Sequence, residues 1–125
     1  MSSSDNCPCC SGLVYENCCF PLISQQKKAE TPEQLMRSRY SAYAKVEIDY
    51  LINTTHVSTR KHFSRKEIEN WATTHKWIKL EVLNSSESTV EFNAHFIEGL
   101  NSPQIHHERS NFVQEKGVWY YVDAY

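Results

Sequence analysis

The chain has 125 residues and a formal net charge of −2 at pH 7 with neutral histidines. This length suits one compact domain with a small appendage, and a charge so close to zero gives no strong signal for nucleic-acid binding. No stretch approaches the roughly 20 consecutive apolar residues of a membrane-spanning helix, so no membrane span is expected.

The most distinctive feature of the sequence is that its cysteines are confined to the first nineteen residues. Four thiolates can complete a tetrahedral shell around zinc, and a short segment with few large apolar residues has no other evident means to order itself. A disulfide framework is disfavoured because the number of cysteines is odd and no secretory signal precedes them. The sequence therefore predicts a metal-binding knuckle in a protein of the reducing cytoplasm. The five cysteines are Cys7, Cys9, Cys10, Cys18 and Cys19.

A polar stretch over residues 24–30 follows the cysteine segment and is predicted to be a linker. The first long helix then has a clear start. Thr31 is placed as its N-cap, Pro32 at its first position, and Gln34 where it completes a capping box. Apolar residues recur behind this start at helical spacing, so the helix is predicted to run from Pro32 to about Lys45.

Two more helical segments are predicted, a short one over residues 49–54 and another that opens at Ser64 with a second capping box. From Trp77 onwards the apolar residues alternate with a period of two, which is typical of half-buried strands. Short turns separate four such runs, so an antiparallel meander is expected. The predicted strands cover residues 77–83, 89–100, 104–115 and 118–122.

Helices first and a sheet afterwards indicate an α+β fold. About three helices are expected to pack on one face of a curved four-stranded antiparallel sheet, behind the N-terminal knuckle. Such an arrangement often leaves a cavity between the sheet and the helices. The sequence offers no glycine-rich loop for nucleotide phosphates, because its three glycines are dispersed.

Two sets of motifs resemble known proteins. The spacing Cys7-Pro8-Cys9, eight residues, Cys18-Cys19 resembles the SEC-C zinc motif, best known from the C-terminal tail of the preprotein translocase motor ATPase. The rest of the chain resembles the bacterial YchJ family, and the resemblance covers nearly the whole sequence. It is carried by residues 35–43, 55–60, 107–112 and 119–121.

The resemblance implies a three-part organisation: a SEC-C-like zinc knuckle over residues 1–23, a linker over 24–30, and a nuclear transport factor two-like domain over 31–125. That domain type is a cone formed by a curved sheet and helices. The resemblance leaves the biochemical activity open, and we favour a binding module over an enzyme.

Carried over residue by residue, the SEC-C motif implies that one structural zinc ion is held by Cys7, Cys9, Cys18 and Cys19. The sequence departs from the motif at Cys10, where the family usually has glycine. If that position needs a positive φ, a cysteine there costs on the order of 1–2 kcal/mol. We interpret Cys10 as a spectator, with exchange for Cys9 as a ligand, or oxidation after metal loss, as the alternatives.

A second constellation combines Arg37 and Arg39 on the first helix with Glu108 on the third strand. Glu108 alternates with Phe112, so it lies on the inner face of the sheet if Phe112 faces the core. A buried carboxylate needs a partner, and a structural pair between Arg39 and Glu108 is favoured over a ligand site. The pocket candidates are Arg39, Tyr43, His56, Trp77, Glu108 and Ser110.

Two functions are compatible with these features. The preferred hypothesis is an interaction module that presents its zinc knuckle to a protein or ribonucleoprotein partner. The alternative is a small-molecule-binding protein or enzyme, in which Glu108 acts as acid or base in an aromatic-lined pocket and Arg39 orients an anionic substrate. No catalytic residue is assigned, and the ligand, the partner and the oligomeric state stay open.

Overall fold

The computed structural model describes residues 6–124 and contains one four-stranded sheet. All neighbouring strands are antiparallel, and they follow one another in chain order, as the predicted meander requires. The α+β fold class is confirmed. Residues 1–5 of the predicted knuckle and residue 125 of the predicted cone domain lie outside the described residues. The strands are β1 (His75–Ser85), β2 (Thr89–Glu98), β3 (Gln104–Glu115) and β4 (Val118–Ala124).

The helices precede the sheet, and a short 3-10 turn, Tyr15–Asn17, lies within the cysteine segment. The long helix that was predicted to run from Pro32 to about Lys45 has these bounds. Two helices of four residues each, Phe20–Ile23 and Val57–Arg60, were not predicted because a single turn is too short to show helical periodicity. The helices are α1 (Phe20–Ile23), α2 (Pro32–Lys45), α3 (Ile48–Asn53), α4 (Val57–Arg60) and α5 (Arg65–Thr74).

Side-chain caps fix the starts of the two longest helices. The Thr31 Oγ1 accepts a hydrogen bond from the Gln34 backbone N–H at 3.1 Å, and the Ser64 Oγ accepts one from the Glu67 N–H at 3.0 Å. The predicted capping box at α2 is off by one residue. The Gln34 Oε1 accepts from the N–H of Glu30 at 2.6 Å, which lies one residue before the N-cap.

The pairing register decides which side chains of the sheet face the helices. Phe92 is paired with Glu108, and Val90 with Ser110. Val90, Phe92 and Phe112 are all buried, so Glu108 and Ser110 share the inner face, as the alternation predicted. Two irregularities in the β1–β2 register interrupt β1, and such bulges bend a strand and curve its sheet.

The cysteine segment and the cone share one hydrophobic core. Cys9 is fully buried, and Leu22 of α1 is 3% exposed. Both belong to the same cluster of buried residues as Leu35 of α2 and Leu51 of α3. The knuckle is therefore packed into the rest of the protein through side chains that water does not reach.

The joint between α2 and α3 is made by a residue in an unfavourable conformation. Val46 has φ 59° and ψ 45°, in the left-handed region. The N–H of the next residue, Glu47, donates to the Ala42 carbonyl at 2.8 Å, which is the long bond of a Schellman motif. Glycine usually occupies this position, and a β-branched residue there is strained.

We expect Val46→Gly to raise the free energy of unfolding by on the order of 1 kcal/mol, because it relieves the left-handed strain. Val57, another exposed valine, lies in the first turn of α4. Val57→Gly is the control and is expected to lower stability by about 0.5 kcal/mol. Urea unfolding followed by tryptophan fluorescence measures both. A Val46→Gly variant no more stable than the wild type would show that the turn is unstrained.

Candidate metal centre and cone cavity

Backbone turns fold the cysteine segment so that its two ends meet. The Cys7 N–H donates to the Leu13 carbonyl at 2.9 Å, which closes a loop over the first cysteines. The 3-10 turn then ends with the Cys18 N–H bonded to the Tyr15 carbonyl at 3.1 Å. The Cys19 carbonyl accepts the first bonds of α1. Neighbouring thiols on both sides of the loop are thus directed to one point.

The sulfur atoms of Cys7, Cys9, Cys18 and Cys19 all lie within 4.8 Å of one another. The Sγ atoms of Cys9 and Cys18 are 3.6 Å apart, and those of Cys18 and Cys19 are 3.9 Å apart. A zinc–sulfur bond of 2.3 Å gives tetrahedral sulfur–sulfur edges of about 3.8 Å. The donor set and its spacing fit a closed tetrahedral zinc site.

Because the thiols are crowded together, their pKa values differ from one another. Hydrogen bonding from Cys19, followed by that from Cys9, holds the pKa of Cys7 well below its usual range. The same contact with Cys7 raises the pKa of Cys19. For Cys9 the Cys19 contact lowers the pKa, but the Cys7 contact and burial outweigh it and raise the pKa to about 11. Full ionisation of the cluster therefore requires a cation to offset the mutual repulsion of the thiolates.

Helix α2 holds the cluster from one side. The Ser41 Oγ lies 3.3 Å from the Cys7 Sγ. The Arg37 Nη1 donates to the Cys9 carbonyl at 2.8 Å, while its Nε donates to Glu33 at 3.0 Å. Arg37 therefore belongs to the metal centre and not to the pocket constellation with which the sequence analysis grouped it.

Cys10 lies beside the cluster but outside it. Its φ is 65°, so the backbone at this position is left-handed and a cysteine there carries the corresponding strain. Its thiol is exposed and lies 3.5 Å from the Pro8 carbonyl. The four-sulfur group does not include it. Ligand exchange with Cys9 stays a hypothesis.

A cavity of about 370 Å³ lies between the helices and the inner face of the sheet. Arg39, Tyr43, Trp77, Glu108 and Ser110, which are five of the six predicted pocket residues, line it. Further lining residues include Met36, Phe63, Ser64, Glu67, Ile68 and His106, which were not proposed as pocket residues. Helical spacing from Arg39 on α2, and alternation from Glu108 on β3, would have pointed to Met36 and His106.

The favoured ion pair between Arg39 and Glu108 is wrong, because within residues 6–124 the two side chains bond to other groups. The Arg39 Nη1 donates to the Leu51 carbonyl at 2.9 Å. It also donates to the Thr54 Oγ1 at 2.7 Å, and its guanidinium lies 4.4 Å from the centre of the Tyr121 ring. The C-terminal end of α3, and not Glu108 of the sheet, thus supplies the hydrogen-bond acceptors of the Arg39 guanidinium.

Glu108 is held by its own strand. One carboxylate oxygen lies 2.7 Å from the His106 Nε2, and the other accepts a hydrogen bond from the Ser110 hydroxyl at 2.9 Å. His106 is at the solvent-exposed end of this group, whereas Ser110 is fully buried. The three side chains form a polar row along the inner face of β3.

His56 does not line the cavity. Its Nδ1 accepts from the Ser58 N–H at 3.1 Å and so caps α4, and its Nε2 lies 3.1 Å from Glu115. Its ring contacts Tyr120 edge-on. The capping role places it outside the cavity, and sequence analysis did not foresee it because α4 was not predicted.

The tyrosines of the cavity stay neutral at physiological pH. Burial raises the pKa of Tyr43. Burial and then the charge of Glu108 raise the pKa of Tyr121 to about 12, although Arg39 acts in the opposite direction. Burial also raises the pKa of Tyr40, the third tyrosine in the cavity lining. The three phenols therefore contribute polarity and aromatic surface to the cavity without charge.

A family model described as "YchJ, middle NTF2-like domain" matches residues 31–124. The chain belongs to the YchJ family. A UPF0225 protein of Pectobacterium carotovorum is 38% identical over 129 residues, with 97% of this chain and 83% of that protein covered. A UPF0225 protein of Geobacter sulfurreducens is 37% identical over 126 residues, which cover 95% of this chain and 78% of that protein.

Two solved structures resemble this YchJ-family chain over almost its full length. The solution structure of a SEC-C motif containing protein from Rhodopseudomonas palustris has a TM-score of 0.89 at 40% identity and covers 97% of this chain and 98% of its own. The crystal structure of one from Psychrobacter arcticus has a TM-score of 0.82 at 31% identity, with 98% and 82% covered. These comparisons confirm the resemblance inferred from the motifs.

The structure tests the prediction about membrane spans, but not the predicted location or the predicted domain division. Among the described residues, no helix has the length and apolar character needed to cross a membrane, and the cytoplasmic location stays a prediction. The division into a knuckle over 1–23, a linker over 24–30 and a cone domain over 31–125 also stays a prediction.

The contacts of Arg39 predict a structural role for it. We expect Arg39→Met to lower the free energy of unfolding by about 2–3 kcal/mol, because it removes the charged hydrogen bonds to the end of α3 and the contact with the Tyr121 ring. Arg65, whose side chain is 60% exposed and paired with Asp49, provides the control, and Arg65→Met should change stability by less than about 1 kcal/mol. Equal losses in urea unfolding would contradict this assignment.

Proposed function

We propose that this YchJ-family protein binds one structural zinc ion through Cys7, Cys9, Cys18 and Cys19, and that the closed knuckle is an interaction module for a protein or ribonucleoprotein partner. The observation that carries the zinc proposal is the group of four thiols within 4.8 Å. When bound, zinc cross-links two stretches of chain and offsets the thiolate charge. This protein's own residues then hold the knuckle against α2.

Exposed apolar side chains support the interaction role. Leu13 is 54% exposed and Phe20 is 39% exposed, both on the knuckle. A groove of about 350 Å³ runs between the knuckle and α2, and its lining includes Leu13, Lys27 and Arg37. Glu33 also lines the groove and pairs with Arg37, so Lys27 supplies its excess positive charge. An apolar anchor beside this lysine suits a protein segment with acidic and apolar residues. The chain's net charge of −2 favours a protein surface over bare nucleic acid.

We propose a second function for the cone, which is binding of a small molecule in the cavity. The observation that favours it is a volume of about 370 Å³, within the range of roughly 300–1,000 Å³ that small-molecule sites occupy. Mostly aromatic walls and a few buried polar groups are the usual composition of such sites. Acid–base chemistry by Glu108 is not required for this function.

Zinc content tests the metal proposal. Protein purified without chelator should carry about one zinc ion per chain by mass spectrometry. The double variant C9S/C19S should lose it, because two sulfur ligands are removed. Cys10→Ser is the control beside Cys9 and should retain the metal. Wild-type protein without stoichiometric metal, or equal zinc loss in both variants, would contradict the proposed ligand set.

Affinity capture tests the interaction role. Leu13→Asp should abolish capture of partners that the wild-type chain retains, because it places a charge on the exposed apolar surface of the knuckle. Leu83 on β1 has a similar exposure, 51%, and Leu83→Asp should leave capture unchanged. Identical partner sets for both variants and the wild type would remove the support for a knuckle interface.

A further inference from the structure

The charged side chains around the cone cavity are unevenly balanced. Two carboxylates, Glu67 and Glu108, and one guanidinium, Arg39, line it. The carboxylates thus outnumber the guanidinium by one. A cavity with this lining attracts a cation more than an anion.

The positive charge of Arg39 is also less available than its position suggests. Its Nη1 donates to the Leu51 carbonyl and to two threonine hydroxyls at the end of α3. Its flat face covers the Tyr121 ring at 4.4 Å. An anionic ligand would have to compete with these contacts. The anionic substrate that the sequence suggested for Arg39 therefore has little support.

Among residues 6–124, the hydrogen-bond partners of Glu108 are the His106 imidazole and the Ser110 hydroxyl. Its carboxylate raises the pKa of Tyr121 more than Arg39 lowers it. At Tyr43 the order is reversed, because Arg39 lowers the pKa of that phenol more than Glu108 raises it. The charge of Glu108 therefore prevails on the Tyr121 side of the cavity. A ligand's positive charge placed near Glu108 gains an ion pair without displacing a buried one.

Aromatic side chains line the cavity beside these charged groups. Trp71, at 42% exposure, and Phe63, at 41%, line the cavity while reaching solvent. The His75 side chain is packed between two tryptophans, with its ring 4.0 Å from Trp71 and 5.5 Å from Trp77. This contact fixes the indoles. Tryptophan faces are the strongest side-chain partners for cations, and flat rings stack on them.

We propose that the cone cavity binds a small aromatic cation, a flat nitrogen heterocycle that carries a positive charge and stacks on Trp71 with its charge directed to Glu108. This inference rests on the second proposed function, and it names the ligand class. A volume of about 370 Å³ admits a molecule of two fused rings.

Two probes of nearly equal size and opposite charge test the inference, N-methylquinolinium and 2-naphthoate. Titration calorimetry and quenching of tryptophan fluorescence on the full chain, purified without chelator, give the affinities. We expect the cation to bind at least about tenfold more tightly than the anion.

Variants of two matched carboxylates locate the binding site. Glu108→Gln should weaken binding of the cation about tenfold. Glu91 lies on β2 and meets His107 at 2.6 Å, much as Glu108 meets His106, but it does not line the cavity. Glu91→Gln should therefore leave binding unchanged. Circular dichroism and the unfolding midpoint verify that both variants fold. Trp71→Leu, at a partly exposed position, should also lower the affinity and provides a second variant.

The possible results distinguish failure of the proposed ligand class from failure of the proposed small-molecule function of the cone. Tighter binding of 2-naphthoate, lost in Trp71→Leu, would overturn the cationic class and leave the cavity as a binding site. Failure of both probes to bind would count against both proposals. Equal effects of Glu108→Gln and Glu91→Gln would show attraction to the overall charge, and would overturn the assignment to the cavity.

Discussion

The convergence of four thiols against α2 is the constraint on which the N-terminal part of the structure depends. Three of these cysteines are buried in the same core as Leu22 and Leu35. Buried thiolates repel one another and lose hydration, so the arrangement is stable only with protons or a cation between them. Ser41 and Arg37 connect the group to α2. Other residues of that helix, including Arg39 and Tyr43, form a wall of the cone cavity. One helix therefore carries both candidate sites.

Local patterns predicted most of the fold because its elements are long and regular. The β3 strand has the predicted bounds, Gln104–Glu115, since turn residues up to Pro103 and again at Gly117 mark both of its ends. Thr31 and Pro32 fixed the start of α2. By contrast, α5 ends at Thr74 and β1 begins at His75 without a loop, and no turn residue marks that change. The helices α1 and α4 were missed because four residues cannot show a period of 3.6.

The two sites differed in how far sequence could predict them. Cysteine spacing specifies a metal centre because its ligands lie within a short stretch of chain. Glu108 and Ser110 were placed on the inner face because β3 alternates. The partners of Arg39 could not be predicted, since they depend on where the end of α3 meets α2 in space. His56 was misplaced for the same reason, because its role depends on α4 and on Glu115 of β3.

X-ray absorption at the zinc edge is the most direct test of the central claim, that four cysteine sulfurs from two separate turns share one ion against α2. Freshly purified, reduced protein should show a single shell of four sulfur atoms at about 2.3 Å, with no nitrogen or oxygen ligand. A shell of fewer sulfurs completed by light atoms, or an octahedral oxygen environment, would contradict the account of the knuckle.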